Sequence, residues 1–256
     1  MQFYYLLEMQ YLGFRFHGWQ TQPNVKTVQE TILKTLRHVL PDIKSKIIAS
    51  GRTDAKVSVE HTYIELFTDQ EMEDLEAFLP LLNKNLPADI RALSIQPTDA
   101  NFNIILAPKI KEYHYFFAFG EKFHPFCAPY MCNIMDNLDI ELMKDAAKAF
   151  EGEKDFFSYA FRPTSTTNTR GEVISCEIVE NNFFTASFFP KKSYVMKVKG
   201  KGFKRNQIRL MMGMLFDLGR GNTMWDDFQK TLDGSNKITL INIAPASGLQ
   251  LFKVNL

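Results

Sequence analysis

The chain has 256 residues, 45% of them hydrophobic and 23% charged, with 13 glycines and 11 prolines. That is enough to bury a core, and the composition is neither disordered nor fibrous. A formal net charge of +1 offers no global field to a polyanion, so any nucleic-acid surface has to be local. Cys127, Cys132 and Cys176 form no CxxC pair and the histidines no HExxH, which excludes a disulfide scaffold and structural zinc and points to a reducing, cytoplasmic setting.

The opening MQFYYLLEMQYLGF has no basic leader region, and its apolar run is broken by Glu8 and Gln10. It reads as a strand over residues 2–9 and not as a signal peptide. No later run is long enough to span a bilayer, so no membrane partner is expected. After the polar and aromatic loop YLGFRFHGWQTQPNVK, Thr27 and Glu30 make a capping box. Val28, Ile32, Leu36 and Val39 mark the buried stripe of a helix that Pro41 stops. KIIAS is a short strand entering the Gly51 corner. HTYIELF is another, with Thr62, Ile64 and Leu66 on one face. Acidic residues from Asp69 to Asp74 suit the start of a helix carrying Phe78 and Leu82. NKNLPADIRALSIQ then turns at its proline into a further strand. This order of strand, helix, strand, strand, helix, strand is that of a ferredoxin-like split βαβ unit.

The second half repeats the theme with more decoration. KEYHYFFAFG is a strand, and residues 139–150 form a helix with Leu142, Ala146 and Ala149 on one face. EVISCEIVE, FFTASFF and SYVMKVKGKGF are three candidate strands. The polar stretch 161–171 reads as a mobile loop. A helix over 206–218 carries Ile208, Met211, Met212, Leu215 and Phe216. A shorter one over 223–231 starts from a Thr223 cap, and ITLINIAPASGLQLFKVNL closes with a turn and a strand. The chain thus reads as α+β in two halves, 1–102 and 103–256.

Charge is unevenly spread. From Lys191 to Arg209 eight basic residues occur with no acidic one, among them Lys199, Lys201, Lys204 and Arg205. A lysine-rich strand also protects a solvated edge, so this favours nucleic-acid contact only modestly. In ASGRTDAKVSV, Asp54 is either a turn aspartate spent on neighbouring N–H groups or a nucleophilic or acid–base carboxylate with Arg52 nearby. Tyr113 shares a strand face with Tyr115 and Phe117, as a core residue would. Arg209, among Ile208, Met211 and Met212, either reaches to solvent or pairs with a buried carboxylate. Spacing alone leaves these alternatives open.

Six segments, in order, carry a family resemblance: YLGFRFHGWQTQPNVKTVQE, GRTDAKVSV, NKNLPADI, KEYHY, GFKRNQIRLMMGMLFDLGRG and APASGLQLFKV. Together they resemble the tRNA pseudouridine synthases of the TruA type along nearly the whole chain. The resemblance implies a pseudouridine synthase fold, two ferredoxin-like halves with antiparallel sheets meeting around a basic cleft. It implies isomerisation of uridine in the anticodon stem-loop of tRNA, at positions 38 to 40, without metal or cofactor, by a homodimer. Asp54 matches the nucleophile, Arg209 the arginine that holds it ionised, and Tyr113 the tyrosine that stacks on the uracil. Arg52 matches the arginine supporting the flipped-out base. Arg15, Lys56, Lys199, Lys201, Lys204 and Arg205 are the expected phosphate contacts. The alternative is a non-catalytic RNA-binding homologue.

Several positions depart from the family pattern. Leu12 stands where aspartate is usual, Lys56 where glycine is, and Ser58 where bacterial members carry histidine. FNIIL replaces His-Ala-Arg-Phe around Asn103, and a histidine is missing before Arg209. If the glycine position requires a positive φ, Lys56 must either be strained there or re-route the turn.

Overall fold

A computed structural model describes residues 2–164, 166–234 and 236–256. In chain order the strands and α-helices are β1 (Phe3–Tyr11), α1 (Val28–Val39), β2 (Ser45–Ala49), β3 (Ser58–Thr68), α2 (Leu75–Asn85), β4 (Ile90–Pro97), β5 (Ile110–Phe119), β6 (Cys132–Ile134), α3 (Ile140–Lys148), β7 (Gly152–Asp155), β8 (Arg170–Glu180), β9 (Tyr194–Gly200), α4 (Gln207–Gly219), α5 (Trp225–Leu232) and β10 (Leu249–Asn255). The architecture is α+β, and the chain divides into two compact units. One holds Met1–Pro108 with Leu251–Leu256, the other Lys109–Gln250. None of the described helices is long and apolar enough to cross a membrane.

In the first unit β1 lies between β4 and β3, and both pairings are antiparallel. β2 adds antiparallel to the Ile64–Thr68 end of β3. The order β4-β1-β3-β2 is consistent with the split βαβ arrangement expected of residues 1–100. Alternation along β1 buries Tyr5, Leu7, Met9 and Tyr11. Leu7 stands opposite Ile64, and both are fully enclosed. Thr27 caps α1, its hydroxyl accepting the Glu30 N–H at 3.4 Å. Val28, Ile32 and Leu36 are buried as the stripe predicts. The acidic run differs from expectation: α2 begins only at Leu75, capped by Asp74, whose carboxylate accepts the Ala77 N–H at 2.8 Å. Asp69 is used earlier, accepting the N–H of Lys44 at 2.8 Å, so the residues between belong to a loop.

In the second unit β5, β9, β8 and β7 follow one another antiparallel, with β6 parallel to β5. The sheet is therefore mixed. One face of β5 packs on α4 through Tyr115 and Phe117, whose rings lie 6.1 and 5.4 Å from Phe216. FFTASFF is not a strand. Its phenylalanines plug the other face of β5, Phe184 lying 5.2 Å from Phe116. Asn181 folds the segment back by accepting the Phe184 N–H at 3.1 Å and donating to its carbonyl at 2.7 Å. α3 buries Met143, Ala146 and Ala147, one step round from the expected Leu142 and Ala149. α5 starts at Trp225 behind Met224, without the Thr223 cap. In the stretch 161–171, Ser165 lies outside the described residues.

Candidate active site

In the first unit the corner carrying Asp54 is held by residues that are distant in sequence. The hydroxyls of Tyr11 and Thr53 bond at 2.8 Å. The Trp19 N–H donates to the Thr53 carbonyl at 3.1 Å, and the Lys56 N–H to the Phe16 carbonyl at 3.0 Å. Such close approach of two loops needs missing side chains. Gly18 has φ +87°, and a Cβ there would sit 2.7 Å from the Thr53 carbonyl oxygen. At Gly13 a Cβ would meet the Val57 oxygen at 1.9 Å, while its N–H donates to the Ser58 hydroxyl at 3.0 Å. Ser58 is thus a buried strut between the two segments. Asp54 is half-buried in this frame, with Arg52 and Lys56 exposed on either side.

The Val57 N–H donates to the Asp54 carbonyl at 3.3 Å, closing a turn whose third residue is Lys56, at φ +67°. A positive φ there is the pattern of a type II turn, in which glycine is usual. The Lys56 ammonium rests 5.7 Å from the Phe14 ring centroid. Arg15 forms a bidentate pair with Asp89, its second contact at 2.9 Å, and the Leu12 N–H donates to the Asp89 carbonyl at 2.9 Å. The hydrogen bond to Asp89, followed by that residue's charge, raises the Arg15 pKa. The segments around Gly13, Asp54 and Asp89 are therefore brought together.

The second unit collects the other three segments. Tyr113 stands opposite Val198, half-buried, with the Phe203 ring edge-on at 5.4 Å and 87°. Phe203 reaches that place because Gly200 leaves room: a Cβ on it would lie 2.9 Å from the ring. On α4, Arg209 donates through Nε to the Ala244 carbonyl at 2.8 Å and through Nη1 to Asn206 Oδ1 at 3.2 Å. The Ala244 N–H donates back to the Arg209 carbonyl at 3.1 Å. Tyr115 donates its hydroxyl to Pro245 at 2.8 Å. Strand, helix and the APASG segment are locked around a guanidinium whose plane is set.

The basic run is not a single bare face. Glu112 pairs in register with Lys199 and His114 with Lys197, so these four share the strand face opposite Tyr113. Lys199 lies 3.3 Å from Glu112, and Lys201 lies 2.8 Å from Glu172. Burial lowers the Lys204 pKa. The Arg205 guanidinium lies 5.0 Å from the Phe161 ring. Lys201, Phe203 and Lys204 line an open depression of about 1090 Å³ in company with Arg170, Asp155 and Glu172.

Chemically, the first unit offers a carboxylate on a rigid turn, able to act as a nucleophile. The second offers an oriented guanidinium and a phenol on a strand. The sequence did not single out Phe203, Trp19 or Ala244. Gly200, a glycine directly across the ladder from the Tyr113 strand, is the one signal that could have pointed to Phe203.

A family model described as tRNA pseudouridine synthase matches residues 146–255. The tRNA pseudouridine synthase A of Listeria innocua is 32% identical over 247 residues, covering 96% of each chain. That of an Exiguobacterium species is 31% identical over 249 residues, 96% of this chain and 94% of its own. A Protochlamydia amoebophila protein, tRNA pseudouridine synthase A 1, is 28% identical over 253 residues, 98% of this chain and 95% of its own. With similarity of this degree along both units, the chain belongs to the tRNA pseudouridine synthase A (TruA-type) family, the isomerases that make pseudouridine in tRNA.

Proposed function

We propose that this isomerase acts on uridine in the anticodon stem-loop of tRNA, at positions 38 to 40, with Asp54 as its nucleophile, as a homodimer and without metal or cofactor. In the reaction the N1–C1′ bond breaks, the uracil turns, and a C5–C1′ bond forms. C5 gives up its proton and N1 takes one, so the change balances with no oxidant or energy source. The Asp54 carboxylate meets the sugar as the glycosidic bond opens. Arg209 keeps that carboxylate ionised and aimed. Tyr113 stacks on the uracil and assists loss of the C5 proton.

Extruding the base costs a few kcal/mol. Arg52 supports the flipped state, while Lys56, Lys204 and Arg205 supply phosphate contacts. Arg15, Lys199 and Lys201 join them by exchanging a carboxylate for a phosphate. Each unit is taken as a decorated ferredoxin-like unit, a reading that the β4-β1-β3-β2 order supports for the first.

The observation that carries the reading is the frame of Asp54, in which the neighbouring peptides are bonded to Trp19 and Phe16 and a glycine at φ +87° permits the approach. A plain turn aspartate does not need so rigid a corner. The test is tritium release from C5-labelled uridine in unmodified bulk tRNA, with primer extension to map the modified position. Asp54→Ala is expected to lose release by about a thousandfold or more and to keep its RNA affinity. Undiminished release in that variant would remove Asp54 from the chemistry.

A further inference from the structure

β5 opens with Ile110, Lys111, Glu112 and Tyr113. Strand alternation puts Lys111 on the face of Tyr113 and Glu112 on the other. Across the ladder Lys111 stands opposite Gly200, which carries no side chain, and the Phe203 ring covers that glycine. The same ring is edge-on to Tyr113. Lys111 is therefore a half-buried cation at the edge of an aromatic pair.

Among the described residues no carboxylate pairs with it. Glu112 is committed on the opposite face to His114 at 2.8 Å and Lys199 at 3.3 Å. Glu172 is committed to Lys201. Just ahead of β5 the remaining charged neighbour is Lys109, which repels it. From the turn after β9, Phe203 covers Gly200, the residue across the ladder, and Lys204 lies instead beside Gly171. Burial first, and Lys109 second, bring the Lys111 ammonium down to about 8. A half-buried charge without a counter-ion is unfavourable for the free protein, and it becomes favourable once an anion arrives.

We propose that Lys111 binds a phosphodiester of the RNA strand next to the nucleotide engaged by Tyr113, and so sets the register of the target uridine. This rests on the pseudouridine synthase reading and adds a binding residue to it. The anion is an RNA phosphate because the family's substrate is a strand of phosphodiesters and the face otherwise presents aromatic rings.

The test uses the full chain with Lys111→Met and Lys111→Arg, unmodified tRNA, binding by fluorescence anisotropy from pH 7 to 9.5, and tritium release. Lys111→Met is expected to bind about tenfold more weakly, with a salt slope lower by about one contact. Its KM should rise while kcat stays within about threefold, and its melting temperature should not fall, because an uncompensated cation has gone. Lys111→Arg is expected to restore most of the affinity.

Phosphate favours the charged ammonium and raises its pKa in the complex. Wild-type affinity should therefore be level below pH 8 and decline above it, whereas Lys111→Arg stays level. Wild-type affinity and pH profile in Lys111→Met would overturn the proposal. So would an Arg variant that loses kcat at unchanged KM. The binding measurements judge Lys111 even if the wild type releases no tritium, a result that would count against the Asp54 reading alone.

Discussion

Lys56 holds its ammonium over the Phe14 ring, 5.7 Å from the centroid, from a backbone at φ +67°. A side chain in the left-handed region costs about 1–2 kcal/mol, and an exposed cation–π contact returns about 0.5–1 kcal/mol. The strain and the contact pull in opposite directions, so single substitutions separate them. Lys56→Ala keeps the strain and loses the contact; Lys56→Gly loses both. In urea unfolding the Gly variant should be more stable than the Ala variant by about 1 kcal/mol, with the native Lys near or between them. Equal stability of the two would mean that the turn carries no such strain.

Gly18 and Gly202 make a matched pair for testing the Asp54 corner. An alanine at Gly18 meets the Thr53 oxygen at 2.7 Å on a backbone at φ +87°, whereas nothing lies within 4 Å of a Cβ at Gly202. Gly18→Ala should cost about 1–3 kcal/mol of stability and depress kcat, because the corner must shift. Gly202→Ala should stay within about 0.5 kcal/mol in urea unfolding. A Gly18→Ala enzyme with native melting and turnover would show that the contact does not position Asp54.

Arg209 is engaged by the Ala244 carbonyl and by Asn206, and Ala244 answers with its own N–H. Lysine carries the charge but not the planar fork. Arg209→Lys is therefore expected to lose kcat by tenfold or more, on the order of 1.4 kcal/mol of barrier, while tRNA affinity changes little. Steady-state kinetics separates the two. A loss confined to KM would make Arg209 a binding residue instead.

Below neutrality, stability should fall on account of Glu112 and His114. Burial lowers the His114 pKa, against the opposing hydrogen bond to Glu112. The imidazole is thus neutral at pH 7 and donates from Nε2. Burial alone would raise the Glu112 pKa, but the His114 hydrogen bond and the Lys199 charge together lower it. Both groups bind protons more tightly in the unfolded chain. Stability is therefore complete above the ordinary histidine value of about 6.5 and declines as pH falls through it and then through the carboxylate range. Glu112→Gln should flatten the lower part of the urea-midpoint profile and steepen the upper part, because the carboxylate that opposed the lowering of the His114 pKa has gone. An unchanged profile would place the pH dependence elsewhere.

Much of this was legible locally. Thr27 caps α1 and the spacing of Val28, Ile32 and Leu36 marks its buried stripe, since both signals act within four residues. The acidic run misled because Asp69 serves Lys44, a partner 25 residues away, and only Asp74 caps the helix. FFTASFF satisfies strand composition, yet adjacent phenylalanines have to be buried on one surface. Packing against Phe116, with the Asn181 turn, overrides its β-propensity.

The Asp54 corner was visible as a motif, and the departure at Lys56 left a strained or a re-routed turn open; the backbone at φ +67° decides for the former. What local rules could not supply is which charges are already answered. Arg15 meets Asp89 across 74 residues, and Lys199 meets Glu112 on the strand face that Tyr113 does not share. By itself the sequence determined the order of elements in the first unit, the residue types able to carry the chemistry and the family. Tertiary structure alone decided which cations are paired, which face each presents, and that among the described residues no carboxylate pairs with Lys111. Periodicity and capping are properties of neighbouring residues, whereas counter-ions and burial depend on the path of the whole chain.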